Sequence, residues 1–127
     1  MLAANRDFYR AFAARDYNAM AELWAEEHAV ACIHPGWAAL HGRDGVLESW
    51  RAILGSPQAP DVTCSDPTVV MLGDAAFVTC VEHVGTTQVA ATNVFVLEQG
   101  KWRMVHHHAG PMAISRPSQR SPVSSLN

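Results

Sequence analysis

The stretch Ala91-Thr92-Asn93-Val94-Phe95-Val96-Leu97-Glu98-Gln99-Gly100-Lys101-Trp102-Arg103-Met104-Val105-His106-His107-His108-Ala109 decides the fold of this chain. Two largely apolar runs flank Gln99-Gly100, a pair suited to a tight turn, so the segment reads as a β-hairpin. Side chains alternate faces along a strand. Asn93, Phe95 and Leu97 therefore share one face, as do Trp102, Met104, His106 and His108 on the second strand. Pairing Leu97 with Trp102 sets Phe95 against Met104 and Asn93 against His106 on the covered side. A slip of one residue would bring Arg103 beside Phe95, so the apolar pattern selects the first register. His107 then points the other way, toward solvent or a partner subunit.

Upstream of the hairpin the same period of two continues. Val62 to Leu72 reads as a strand bent near Pro67, Gly73-Asp74 as a turn, and Ala75 to Val84 as the next strand, followed by Thr87 to Glu98 and Lys101 to Ala109. Nearer the N-terminus the period is about 3.6. Ala3 to Arg15 reads as a helix with Phe8 and Phe12 on one face. Asp16 caps a second helix from Tyr17 to about Glu26, and a third runs from after Gly42 to about Leu54. Val30 to His34 is a short strand stopped by Pro35-Gly36, and residues 55–60 form a loop. Helices first and strands last predict an α+β domain with the helices on one face of an antiparallel sheet. The domain spans residues 1–112; residues 113–127, rich in Ser and Pro, read as a flexible C-terminal tail.

A chain of 127 residues, 49% apolar and with a net charge of −3, is long enough for one domain with a sizeable core. It carries no basic patch to suggest a nucleic-acid partner. No apolar run approaches the ~20 residues of a membrane span, and the amphipathic pattern starts without a leader peptide. Cys32, Cys64 and Cys80 lie in strand-like segments, which predicts buried, reduced thiols and a cytoplasmic protein.

The chemistry concentrates on imidazoles. His34 ends the run Ala31-Cys32-Ile33-His34-Pro35-Gly36-Trp37, shares a face with Val30 and Cys32, and so projects from an apolar wall. A neutral imidazole there suits a general base. Asn93 and His106 are candidate donors to a developing oxyanion, which makes His34, Asn93 and His106 the catalytic candidates. Phe8, Phe12, Trp24, Trp37, Trp50, Phe95 and His108 are the candidate lining of a substrate pocket, with Trp37 at its rim; the tryptophans fit equally well as plain core, and Asn93 as a satisfied buried amide. Glu82 and His83 alternate, so only one faces inward. Only two of His106, His107 and His108 converge in a strand, so no metal site is expected without a further ligand, and no cofactor motif is present.

The helix-helix-strand-helix-strands order, with Phe8-Tyr9-Arg10-Ala11-Phe12, Ala14-Arg15-Asp16-Tyr17, Ala31 to Trp37, Gly42-Arg43, Ser49-Trp50, Ala91 to Phe95 and Trp102 to His108, resembles the SnoaL-like branch of the nuclear transport factor 2-like superfamily over residues 3–111. The resemblance implies a cone: a strongly curved antiparallel or mixed sheet wrapped around three helices, with an internal cavity. It also implies a homodimer packed through the outer sheet face, and Val94, Val96, Val105 and Cys80 or Val81 make that face apolar. Set against the ketosteroid isomerases of that superfamily, the general-base aspartate falls on His34, the donor tyrosine on Phe8 with Tyr9 directed elsewhere, and the protonated aspartate on Asn93. Two readings follow. One is a cofactor-free isomerase, cyclase, dehydratase or hydrolase acting on a small apolar molecule. The other is a non-catalytic ligand-binding or dimerisation domain.

Overall fold

The computed structural model describes residues 2–113. Of the expected tail, residues 114–127 lie outside the described residues. Three helices, α1 (Leu2–Ala14), α2 (Tyr17–Leu23) and α3 (Arg43–Gly55), accompany six strands: β1 (Ala31–Ile33), β2 (Leu40–His41), β3 (Val62–Leu72), β4 (Ala75–Val84), β5 (Thr87–Glu98) and β6 (Lys101–Pro111). The strands form one open sheet in the order β2-β1-β6-β5-β4-β3. β1 runs parallel to β6, and every other pairing is antiparallel. The sheet curls around the helices, with α1 against β3, α2 against β6 and α3 against β1 and β2. This is the expected α+β cone, with a mixed sheet.

Local chemistry accounts for the elements. Asp16 caps α2 by accepting from the Ala19 amide at 3.1 Å. Gln99 and Gly100 both take positive φ, the turn whose twist suits a two-residue hairpin. β3 bends at a bulge between Ser65 and Thr68, where Asp66 sits at φ 55° ahead of Pro67, as the proline predicts. Val30 and His34 flank the paired part of β1 rather than belong to it, and the two-residue β2 is too short to show a period.

α2 stops at Leu23, short of the expected Glu26. The chain leaves the helix because its next backbone groups have better partners. Trp24 bridges Met104, and the Ala25 amide donates to the Met104 carbonyl at 2.9 Å. The amides of Glu26 and Glu27 donate to the Glu98 carboxylate at 3.0 and 2.9 Å, and His28 Nδ1 lies 2.7 Å from the same group. Burial works to raise the Glu98 carboxyl, but the hydrogen bonds from His28, Glu26 and Glu27 outweigh it and hold the group at about 2.

A depressed carboxyl stabilises the fold only while ionised. Glu98→Ala is expected to cost about 1–2 kcal/mol in urea denaturation, because two part-buried amides lose a charged acceptor. The difference from the parent chain should be full above pH 4.5 and shrink as the pH falls toward about 2.

Candidate functional site

The hairpin register carries the site. Leu97 pairs with Trp102 and Phe95 with Met104, as expected, but Val94 then pairs with His106 and Asn93 with His107. Val105 is the extra residue of a β-bulge. At Met104 the outer edge of β6 pairs with Trp24 and Ala25; from His106 onward it pairs with β1. The bulge sits where the strand changes neighbours, and one inserted residue reverses the facing of everything after it. His107 is therefore buried, at 1% exposure, and His106 turns away from the interior, where its Nδ1–H donates to the Ala31 carbonyl at 3.1 Å. His108 is exposed. The expectation that His106 faces Asn93, and that His108 lines the pocket, is thus corrected. With His107 inward and its two neighbours outward, the three histidines do not converge on one ion.

His107 Nδ1–H donates to Asn93 Oδ1 at 2.6 Å. The Asn93 amide nitrogen donates to Asn5 Oδ1 at 2.9 Å and to the Tyr9 hydroxyl oxygen at 3.1 Å. The Tyr9 hydroxyl donates to Glu82 Oε2 at 2.6 Å and lies 3.3 Å from Cys80 Sγ. Tyr9 was expected to point elsewhere, leaving Phe8 as a lost donor. Both point inward, because α1 buries a wide face comprising Asn5, Phe8, Tyr9 and Ala11. The donor hydroxyl is supplied by the residue next to the aligned one. Of the Glu82–His83 pair, Glu82 is the inward residue. Burial pushes its carboxyl above the ordinary value, while the Tyr9 hydrogen bond opposes the shift. Burial also pushes the Tyr9 hydroxyl far up, so that it remains a donor.

His34 stands at the end of β1, buried to 3% exposure rather than open at a rim. Ser49 of α3 spends its only proton on the Val46 carbonyl at 2.6 Å, so its oxygen accepts from His34 Nε2–H at 2.9 Å. The basic nitrogen of His34 is thereby Nδ1, whose polar neighbour is Cys32 Sγ at 3.9 Å. Burial lowers this imidazole to about 4, and it lowers His107 to about 3, with neighbouring imidazoles adding to the second shift. The two rings lie 6.3 Å apart between centroids, and Trp50 packs against both, at 4.8 and 5.8 Å.

The remaining expected lining residues divide. Phe8 contacts the His107 ring at 5.0 Å, and Phe12 contacts Trp50 at 5.0 Å, both beside the cluster. Trp37, 46% exposed, packs edge-on against His34 at 4.8 Å. Phe95 shares the inner face with Asn93, one layer further down. Trp24 is wholly buried where α2 meets β6, among plain core. A pocket of 410 Å³ at the seam of α1 and β3 reaches the cluster at Asn5 and Tyr9. A larger hollow of 580 Å³ between α1, α2 and the start of β6 touches none of the cluster. Tyr9, Asn5, Glu82, Ser49 and His107 were not picked out by sequence pattern; only the Glu82–His83 alternation hinted at one of them.

A curved mixed sheet enclosing helices and an ionisable interior defines an α+β cone of the NTF2-like kind. The chain belongs to the SnoaL-like domain family, which it matches over residues 1–115. It is 31% identical over 116 residues to the F-box protein SKIP8 of Arabidopsis thaliana, an alignment covering 90% of this chain and 50% of that protein. The chain thus spans about half the length of this curated relative. Among solved structures it is similar to a candidate dehydratase of the NTF2-like family from Streptomyces avermitilis, with 34% identity, a TM-score of 0.78, and coverage of 88% of this chain and 93% of that one. A candidate calcium/calmodulin-dependent protein kinase type II association domain from Thiobacillus denitrificans also shares 34% identity, with a TM-score of 0.74 and coverage of 87% and 94%. Among the described residues, no helix is long and apolar enough to cross a membrane.

Nitrogen-15 spectra are expected to show His34 protonated at Nε2 and His107 at Nδ1, with Ser49→Ala releasing the first preference and not the second. Both imidazoles sit below their ordinary 6.5, so the unfolded chain takes up protons that the folded one refuses. Stability contributed by His34 and His107 is full above pH 6.5 and is lost toward about 4 and about 3, with a slope of up to about 1.4 kcal/mol per pH unit for each. Glu82, raised by burial, has the opposite sign and loses stability as the pH rises above 4.5. Tyr9, Cys32 and Cys80, which also face the cluster, are pushed up and stay neutral throughout this range. Urea titrations of Glu82→Gln between about pH 7 and about pH 5 isolate the histidine slope.

Proposed function

We propose that this chain is a small-molecule-binding protein whose interior performs cofactor-free general acid–base chemistry. One observation carries the reading: three buried polar atoms with unused capacity gather in one place. His34 Nδ1 has only a thiol at 3.9 Å, His107 Nε2 lies 3.8 Å from Glu82 Oε2, and Trp50 Nε1 has no partner among the described residues. Buried polar atoms are usually paired. Trp24 Nε1 and Arg43 Nε also lack partners among the described residues, so it is the gathering of these three around one ring cluster that sets them apart. A bound molecule with a carbonyl or hydroxyl group would satisfy them.

The roles follow from protonation. His34 is neutral at pH 7 and accepts a proton at Nδ1. Its low basicity confines it to an activated C–H, such as one next to a carbonyl. Trp50 N–H, which has no other partner among the described residues, is the donor for the developing oxyanion; the single Tyr9 proton is already given to Glu82. Return of the proton from the imidazolium to another carbon gives an isomerisation. Its delivery to a hydroxyl that departs as water gives a dehydration. Trp37 covers His34 and must swing aside to admit a ligand. Similarity to a candidate dehydratase at 34% identity is consistent with this class.

Turnover should be sought among enones, β-hydroxy carbonyl compounds and epoxides. His34→Gln keeps a donor toward Ser49, so its unfolding midpoint should stay close to the parent's. Its rate should fall by about 10²- to 10⁴-fold, while His108→Gln, outside the interior, keeps the parental rate. An active chain indifferent to His34→Gln removes the base from this scheme.

The outer sheet face supports a second reading, self-association. Cys80 is buried inside, so Val81 is its outward neighbour. Val70, Phe77 and Val94 pair in one row and Leu72, Ala75 and Val96 in the next, with Leu72 61% exposed. Such a continuous apolar patch on a small domain suits a two-fold contact, and an association domain is among the similar structures. Light scattering is expected to give about twice the chain mass of 13.8 kDa, and Val94→Arg should return the monomer.

A further inference from the structure

The seam between α1 and β3 holds a feature that acid–base chemistry leaves unused. The 410 Å³ pocket there has apolar walls from Leu2, Ala13, Val62 and Pro67, and Asn5, Tyr9 and Cys64 at its floor. Its volume falls within the range of small-molecule sites. Two guanidiniums, Arg6 and Arg10, flank it one helical turn apart. Like charges at this spacing repel each other on a helix. Arg10 engages Asp7 at 3.4 Å, whereas Arg6 has no ion pair among the described residues. Asp61, just before Val62, and Asp66, at the β3 bulge near Cys64, are the acidic residues flanking this part of β3.

From this geometry we infer that the α1–β3 pocket binds an amphipathic carboxylate, with its head between Arg6 and Arg10 and its apolar tail directed between helix and sheet toward Tyr9. A carboxylate matches the planar fork of a guanidinium and supplies the acidic partner that Arg6 lacks among the described residues, while Arg10 already has Asp7. The space takes a medium-length chain or a single ring. The tail ends at the hydroxyl that donates to Glu82 and accepts from Asn93. The inference deepens the small-molecule reading and rests on it, since the pocket touches the interior polar network at Asn5 and Tyr9.

Calorimetry on the full chain with octanoate and octan-1-ol tests it. Octanoate should bind with one-to-one stoichiometry and at least about tenfold more tightly than the alcohol, as a charge-assisted contact requires. Arg6→Gln combined with Arg10→Gln should erase that preference, and Ala13→Trp, at an exposed position of the wall, should abolish binding of both probes. Equal affinity for acid and alcohol, an unchanged preference in the double variant, or no octanoate binding at millimolar concentration overturns the inference. Octanoate binding without turnover of any screened carbonyl compound would sink the acid–base scheme and leave this site standing. Turnover of neutral enones that is insensitive to octanoate and to both arginine changes would do the reverse.

Discussion

The hydrogen bond from His107 to Asn93 is the contact on which the interior depends. An amide side chain has two distinguishable ends, and His107 Nδ1–H at 2.6 Å fixes which one is the oxygen. The nitrogen then faces α1, with one N–H for Asn5 and one for Tyr9. With its lone pair engaged by Asn93, the Tyr9 hydroxyl directs its proton to Glu82. One strand-to-strand contact thus orders five side chains on α1, β4, β5 and β6. Without it the same residues would be a set of buried polar groups with no common direction, each costing about 1–3 kcal/mol.

That contact exists because of a bulge, and the bulge falls where β6 changes neighbour on its other edge. β6 is flanked on one side by β5 along its length. On the other side it meets the Trp24–Ala25 segment first and β1 afterwards. The two segments do not share a register, and Val105 absorbs the difference. The parallel pairing of β1 with β6 places Cys32 opposite His107, and so brings His34, two residues on, to the same interior. His34 and His107 meet as a consequence of sheet topology rather than of any local motif.

This explains which parts of the site were legible. Helix faces, turns and strand periods are local, and Phe8, Phe12, Trp50, Asn93 and His34 were found by them; each lies in or beside the cluster. The hairpin register was read correctly from Leu97–Trp102 to Phe95–Met104, and failed at the next pair. Nothing within the hairpin sequence announces the bulge, which falls where the other edge of β6 passes from the Trp24 segment to β1. The end of α2 was misread for the same reason: the groups that draw the chain out of the helix belong to Met104 and Glu98. Aligning one residue to one role leaves Tyr9 out, whereas a helix packed against a concave sheet turns adjacent residues inward together.

Strand alternation also separates the two capacities of the fold. Asn93 faces the cluster while Val94 faces out, and Glu82 faces in while Val81 faces out. The apolar outer rows therefore carry no member of the polar network, and the inner network leaves the outer rows free to be covered. A substitution that alters association at Val94 acts on the cluster only through the backbone of β5. Burial of the outer face would hold that backbone more firmly and tighten the Asn93–His107 alignment beneath it. The proposed self-association and the proposed interior chemistry would thus use opposite faces of the same strands. Inward and outward residues of β4 and β5 can vary independently within this architecture, because no side chain is shared between the two faces.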